Sequence, residues 1–269
     1  MWRERCRVLD NQRVAPGHHV LRLRARRIAG AARPGQFVQV MCSDSTEPLL
    51  PRPFSFLTAG AGTISFLYHI VGQGTEILSR VRKGEELWIT GPLGRGWDTA
   101  PQERVAVLVG GGVGIPPLYH LAQSLKKLPA ADRPAIRVLL GARDKSLLLC
   151  EKDFKKLGVQ LECATDDGSK GKKGYVTALL DPLLALGDPA GTRIYTCGPT
   201  PMLKAVSALA LKHGAACEVS VEVPMACGYG ACLGCAIKVQ DAACAPGAHR
   251  YAIACCEGPV FPAGEIVWA

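Results

Sequence analysis

The 269-residue chain has no uninterrupted apolar run of the roughly 18 residues that a membrane-spanning helix needs. Its opening, MWRERCRVLD, carries charge where a secretory leader needs an apolar segment. These two absences set the expectation of a cytoplasmic protein with no membrane partner. No internal repeat recurs at a solenoid period, and the composition is not that of a collagen-like, coiled-coil or low-complexity chain. Nor is the chain short of apolar residues: 48% are hydrophobic and 20% charged, which excludes a disordered protein. At about 150 residues per domain, the length points to roughly two domains with their own cores.

The net charge is +9, and most of the excess is local. The first 33 residues hold nine arginines against only Glu4 and Asp10. Arg22, Arg24 and Arg26 alternate with Leu21, Leu23 and Ala25, the two-residue period of a half-exposed strand. No recognition helix or aromatic stacking motif accompanies them, so the expectation is a solvated or protein-contacting strand face rather than a nucleic-acid site.

Twelve cysteines in a chain of this size, without an export signal, point to metal or redox chemistry rather than disulfides. Six of the twelve fall between Cys227 and Cys256.

Three textures follow one another. Residues 1–100 carry short alternating segments, VLRLRAR, GQFVQVMC, TISFLYHIV and EELWITGPLG, which predict an antiparallel β-barrel. Residues 101–213 alternate apolar runs (VAVLVGGG, IRVLLGA, VQLECAT, TRIYTCGP) with helical segments. One of these, IPPLYHLAQSLKKL, spaces Leu118, Leu121, Ala122, Leu125 and Leu128 along one face. That alternation predicts an α/β domain with a parallel sheet. Residues 214–269 are rich in Cys and Gly and too short for a sizeable core, so a bound inorganic centre would supply the missing cross-links.

The most specific motif is CGYGACLGC. Cys227, Cys232 and Cys235 stand in the C-x4-C-x2-C spacing of plant-type [2Fe–2S] proteins, and Gly228, Gly230 and Gly234 let the backbone approach the inorganic sulfides. Zinc is the competing reading, although zinc sites usually pair two CxxC units. Cys244, Cys255 and Cys256 all remain open as the fourth ligand on spacing alone.

VLVGGGVGIPPLYHL ends a strand in Gly110, Gly111, Gly112 and Gly114 and opens a helix with Pro116 and Pro117, a candidate dinucleotide site at a helix N-terminus. RIYTCGPTPMLKAV forms a second such junction, with Thr200 as N-cap, Pro201 as first helical residue and Cys197 at the carboxyl end of the strand. TDDGSKGKKG, residues 165–174 with Asp166 and Asp167, is placed at the same edge. In the barrel, PRPFSF offers Arg52 for phosphate and Ser55 as a hydroxyl, and LYHIVGQGT sets Gly72, Gly74 and Thr75 in a phosphate-binding turn.

Taken in chain order, RPFS, GQGT, GGGVGIPP, CGPTPM, CGYGACLGC and CCEGPVF resemble the ferredoxin-reductase-like flavoproteins over nearly the whole chain. Among these the resemblance is nearest to the electron transfer subunits of NAD-dependent dihydroorotate dehydrogenase. It implies an FAD-binding barrel, an NAD-binding α/β domain and a small C-terminal [2Fe–2S] domain. Arg52, Pro53, Phe54 and Ser55 would hold FAD, and Leu67, Tyr68, His69, Gly74 and Thr75 would line the rest of it. Gly110, Gly111, Gly112 and Gly114 would hold NAD, with Cys197, Gly198 and Pro199 beside the nicotinamide. Ser55 and Cys197 would lie closest to hydride transfer. The family's last cluster ligand stands three positions before a GPVF-like segment, which matches Cys255. Nineteen residues separate Cys235 from Cys255, longer than the family pattern, and position 69 is often Arg or Lys in the family.

The implied function is electron transfer from an FMN-containing catalytic subunit through the cluster and FAD to NAD+. It would serve de novo pyrimidine synthesis within a heterotetramer of two subunits of each kind. The alternatives are a related reductase subunit, such as a ferredoxin:NADP oxidoreductase or sulfide dehydrogenase, and a zinc-stabilised binding protein without redox activity. Arg143 and Lys145 would suit a 2′-phosphate, but Asp144 between them favours NAD.

Overall fold

The computed structural model describes residues 1–241 and 247–268. Its first part contains β1 (Trp2–Ala15), β2 (His18–Arg24), α1 (Arg26–Ala31), β3 (Phe37–Val40), β4 (Arg52–Ser55), β5 (Thr58–Gly60), β6 (Thr63–His69), α2 (Gln73–Arg80) and β7 (Glu86–Leu93). The seven strands pair antiparallel in the order β4-β3-β7-β1-β2-β6-β5. Period-two alternation explains the register. Leu21 and Leu23 of β2 and Cys6 and Val8 of β1 point into one apolar core with Ile64, Phe66 and Ile89, while the intervening arginines point out.

No backbone ladder joins edge strands β4 and β5 among the described residues; the sheet curls shut through side chains, Phe54 stacking on Phe66 at 4.7 Å. Two arginines of the basic N-terminal segment have local partners. Arg3 and Arg5 lie over the Trp88 ring at 4.9 and 5.9 Å, and Arg5 also pairs with Asp44 and Glu86.

The second part contains β8 (Val105–Gly111), α3 (Ile115–Lys126), β9 (Ala135–Ala142), α4 (Glu151–Lys156), β10 (Gln160–Thr165), β11 (Lys172–Lys173), α5 (Thr177–Leu186), β12 (Thr192–Cys197), α6 (Thr200–His213) and β13 (Ala216–Ser220). These strands form a parallel sheet in the order β11-β10-β9-β8-β12-β13. The continuous apolar runs are explained by burial on both faces. Leu108, Val138 and Leu140 pack under α3, whereas Val107, Leu139 and Ile194 pack under α5 and α6. The strand order reverses between β8 and β12, so their carboxyl ends open a crevice.

The last part adds a hairpin, β14 (Ala236–Gln240) with β15 (His249–Ile253), and β16 (Val260–Pro262). β16 pairs antiparallel with β13 and becomes the seventh strand of the second sheet. The segment after residue 213 therefore contributes two strands to that sheet as well as the cysteine loop. Among the described residues no helix is long and apolar enough to cross a membrane.

Candidate functional site

Two cavities meet where the three parts of the chain converge. The first, about 420 Å³, is walled by β4 (Arg52, Pro53, Phe54, Ser55), the end of β6 (Leu67, Tyr68, His69), Thr75 of α2 and Cys197 at the end of β12. The segment 220–225 and Val113 close it. It therefore gathers the barrel residues singled out above except Gly72 and Gly74, together with Cys197.

Arg52 lies beside the α2 N-terminus. A Cβ on Gly74 would fall 3.2 Å from its Nε and 3.3 Å from its Cζ, so a side chain there would press on the guanidinium. One arm of Arg52 donates to the Leu50 carbonyl at 2.8 Å, leaving the others toward the site. GQGT, read from sequence as a turn, in fact opens α2. Thr75 works indirectly: its Oγ1 accepts from the Val71 and Gly72 amides at 2.9 and 3.2 Å and donates to the Gly72 carbonyl at 2.9 Å. The hydroxyl is saturated holding the chain that enters the helix.

Tyr68 is likewise a support, its hydroxyl donating to Asn11 Oδ1 at 3.1 Å and burial pushing it up to about 12. Cys197 is buried, and burial followed by the nearby Glu222 carboxylate pushes its thiol up, so it stays protonated. Glu222 reaches solvent within this concave site, and the protein crowding around it raises its carboxyl. No motif pointed to Glu222 in the sequence, because β13 and the segment after it carry little recognisable pattern.

The second cavity, about 850 Å³, runs over the carboxyl edge of the parallel sheet, lined by Gly111, Gly112, Val113, Pro199, Met202 and, farther along, Arg143 and Asp166. The glycine turn divides its work. Gly111 and Gly112 face the groove, with Gly112 at φ +56, while a Cβ on Gly110 would strike Leu118 of α3 at 2.9 Å. A Cβ on Gly114 would fall 2.4 Å from the Cys197 carbonyl and the Gly198 nitrogen, so the two strand-to-helix turns touch backbone to backbone. Gly198 answers from the other side at φ +154, 3.0 Å from the Gly111 carbonyl by the same measure.

α6 begins at Thr200, with Pro199 as its cap and no side-chain cap bond, a one-residue offset from the sequence reading. Asp144 does not face the groove: its Oδ1 accepts from the amide and hydroxyl of Ser146 at 2.7 and 2.6 Å. Asp166 takes the acidic position there instead. His69 and Val113 line both cavities, and His69 stacks on His18 at 4.3 Å.

In the cysteine loop, backbone amides point at sulfur. Gly230 N donates to Cys255 Sγ at 3.1 Å, Cys232 N to Cys227 Sγ at 3.4 Å and Cys255 N to Cys235 Sγ at 3.4 Å. Against burial, which alone would raise it, the amides of Cys232, Tyr229 and Ala231 bring Cys227 down to about 6. Among the described residues no three ligating side chains converge as a single metal ion requires. The amide contacts join Cys232 to Cys227 and Cys255 to Cys235 through the backbone, within a loop that turns through Gly228 and Gly230 at φ +84 and +86. Amide donors to sulfur and glycine clearance, on the C-x4-C-x2-C spacing, suit a two-iron cluster better than one zinc ion. Cys256 is exposed with its Sγ 3.7 Å from that of Cys255, and Cys244 lies outside the described residues.

Residues 222–267 match the family model described as the iron–sulfur cluster binding domain of dihydroorotate dehydrogenase B, and residues 108–208 match the oxidoreductase NAD-binding domain. A protein of Desulforamulus reducens named as the dihydroorotate dehydrogenase B (NAD(+)) electron transfer subunit is 40% identical over 98% of this chain and 97% of its own. The protein so named in Fusobacterium nucleatum is 35% identical, covering 98% of both. The chain belongs to the family of dihydroorotate dehydrogenase B electron transfer subunits.

Among solved structures, one of an NADH-dependent reduced ferredoxin-NADP oxidoreductase aligns at TM-score 0.82 and 28% identity, covering 98% of this chain and 90% of that one. A ferredoxin NADP+ reductase from Neisseria gonorrhoeae with bound FAD and NADP aligns at TM-score 0.67 and 16% identity over 79% of this chain and 92% of its own, a likeness of fold alone. Family membership thus agrees with the barrel, the parallel α/β sheet and the cysteine-bearing segment described above.

Proposed function

We propose that this chain is an NAD-linked iron–sulfur flavoprotein subunit that passes electrons from a dihydroorotate-oxidising partner through a [2Fe–2S] cluster and FAD to NAD+, serving pyrimidine biosynthesis. The observation that carries the reading is the first cavity, because its wall is built jointly by β4, the end of β12 and the segment that runs from Ser220 into Cys227. A ring system seated there would lie between the nucleotide groove and the cysteine loop. When bound, FAD supplies the exchange between single electrons and hydride that neither iron nor nicotinamide can make alone.

The chain's residues bind and orient. Arg52 and the α2 N-terminus, cleared by Gly74 and pinned by Thr75, hold the flavin diphosphate. Pro53, Phe54, Leu67, Tyr68 and His69 form its walls. Ser55 offers a hydroxyl at the reactive edge. Cys197, neutral and buried, closes the nicotinamide face with Gly198 and Pro199. Gly111 and Gly112 let the NAD diphosphate approach the backbone, and Gly110 and Gly114 keep helix and neighbouring turn close enough to shape that approach. Cys227, Cys232, Cys235 and Cys255 hold the cluster.

The partner we infer is the FMN-containing catalytic subunit, two copies with two of this chain, in the cytoplasm. The runner-up is a related NADP-linked reductase subunit, favoured by Arg143 in the groove and by Asp144 being turned away.

Anaerobic purification tests both readings. The expected protein shows flavin and iron–sulfur absorption, about two irons per chain and a paramagnetic signal after dithionite. NADH should bleach the flavin faster than NADPH. A colourless protein without iron would overturn the proposal, and a preference for NADPH would install the runner-up.

A further inference from the structure

Strand β3 presents Val38 and Val40 to the barrel core and Phe37 and Gln39 to the opposite side, where the C-terminal segment lies. Gln39 is 2% exposed. Its Nε2 donates to the Met225 carbonyl at 3.3 Å. Met225 lines the first cavity and precedes Cys227 by two residues. On the far side of Cys227, a Cβ on Gly228 would fall 2.6 Å from Gln39 Cγ and 2.7 Å from Nε2, so the amide lies flush on the loop backbone. Across the sheet, Gln39 is in register with Pro53 of β4 and Thr90 of β7.

The other end of the side chain is unpaid for. Gln39 Oε1 is buried with no hydrogen-bond partner. A buried carbonyl left open costs the desolvation of that atom, and one long bond from the same amide does not offset it. An apolar side chain of the same length would fill the space without that loss. Local stability therefore does not explain a glutamine here, whereas a directed link to Met225 does.

We propose that Gln39 is a positioning residue for electron transfer between cluster and flavin. It ties the segment Met225–Gly228 to β3, and so fixes the loop of Cys227 against the strand pair whose other member, β4, carries Arg52 and Ser55. The inference rests on the cofactor assignment made above. In the direction that is easiest to observe, NADH delivers two electrons to the flavin as hydride. One electron then crosses to the oxidised cluster, taking its two ferric ions to one ferric and one ferrous, and the second stays on the flavin.

The test uses the full-length holoprotein carrying Gln39→Met, which keeps length and removes the link. In stopped-flow with NADH, the flavin phase keeps its rate while the cluster phase slows by about tenfold or more, as a small displacement of reacting groups would produce. Hydrogen exchange at residues 225–230 accelerates, and the paramagnetic spectrum of the dithionite-reduced cluster keeps its shape. Gly228→Ala, which pushes on the same contact from the loop side, slows the same phase. A cluster phase within about twofold of wild type in both variants overturns the inference, as does equal slowing of both phases with an altered cluster spectrum. If wild type itself carries no iron, the cofactor assignment falls first and the inference with it.

Discussion

At the scale of single residues, the site divides into groups that face a ligand and groups that hold those groups in place. Ser55 and Thr75 both line the first cavity, but the Thr75 hydroxyl is saturated by neighbouring backbone. Ser55→Ala should slow flavin reduction by NADH about 10²-fold, the order contributed by one placed proton or hydrogen-bond partner, with FAD content unchanged. Stopped-flow bleaching at the wild-type rate would remove Ser55 from the hydride step.

His120 of α3 is a different case, buried against Phe56 with Nδ1 unpartnered, and burial brings it down to about 4 from 6.5. The folded chain refuses a proton that the unfolded chain accepts below about 6.5. Its contribution is therefore full above that pH, is lost as pH falls toward about 4, and is worth up to about 3 kcal/mol. His120→Leu should flatten this part of the stability curve in urea titrations between pH 7 and pH 4.

Residues of this second kind were the least legible in the sequence. RPFS and the cysteine spacing announce their chemistry in a few adjacent letters. His120 and Gln39 act only through neighbours dozens of residues away, and Glu222 reaches the first cavity from a segment without a motif.

At the scale of elements, strands whose side chains alternate or run continuously apolar were readable, because period two and two-sided burial are local properties. β13 was not recognised: CEVS is short and mixed, and it becomes a strand by pairing with β12 on one side and β16 on the other. The glycine turn shows the reverse limit. Its role as a strand-to-helix junction was plain, but only three-dimensional contact separates Gly111 and Gly112, which face the groove, from Gly114, which meets the Cys197–Gly198 peptide.

Gly114→Ala therefore tests an element contact rather than a ligand contact. The methyl group has no free space, so the β8–α3 and β12–α6 turns must part. The expected cost is about 1–3 kcal/mol in thermal or urea unfolding, with NADH binding weakened because both lips of the crevice move. Unchanged stability with weakened binding would instead place Gly114 in direct contact with the nucleotide.

At the scale of the whole molecule, the cysteine-bearing segment is not a pendant module. Cys235 and Cys255 are buried in one core with Phe37 of the barrel, Leu180 of α5 and Val219 and Phe261 of the second sheet, and Arg95 N donates to the Gly258 carbonyl. Cooperativity follows from that shared core, since losing order around the cysteine loop uncovers apolar surface belonging to both other parts. Cys235→Ala removes one of the cysteines we propose as cluster ligands and leaves a small void at a buried position, while the β13–β16 pairing stays intact. It should cost about 2–4 kcal/mol, which in a chain of this size lowers the melting temperature by roughly 5–10 °C. Calorimetry should still show one transition, because the parts melt together. Two resolved transitions, with the lower one alone moved by the substitution, would mean that the cluster segment folds by itself and only rests against its neighbours.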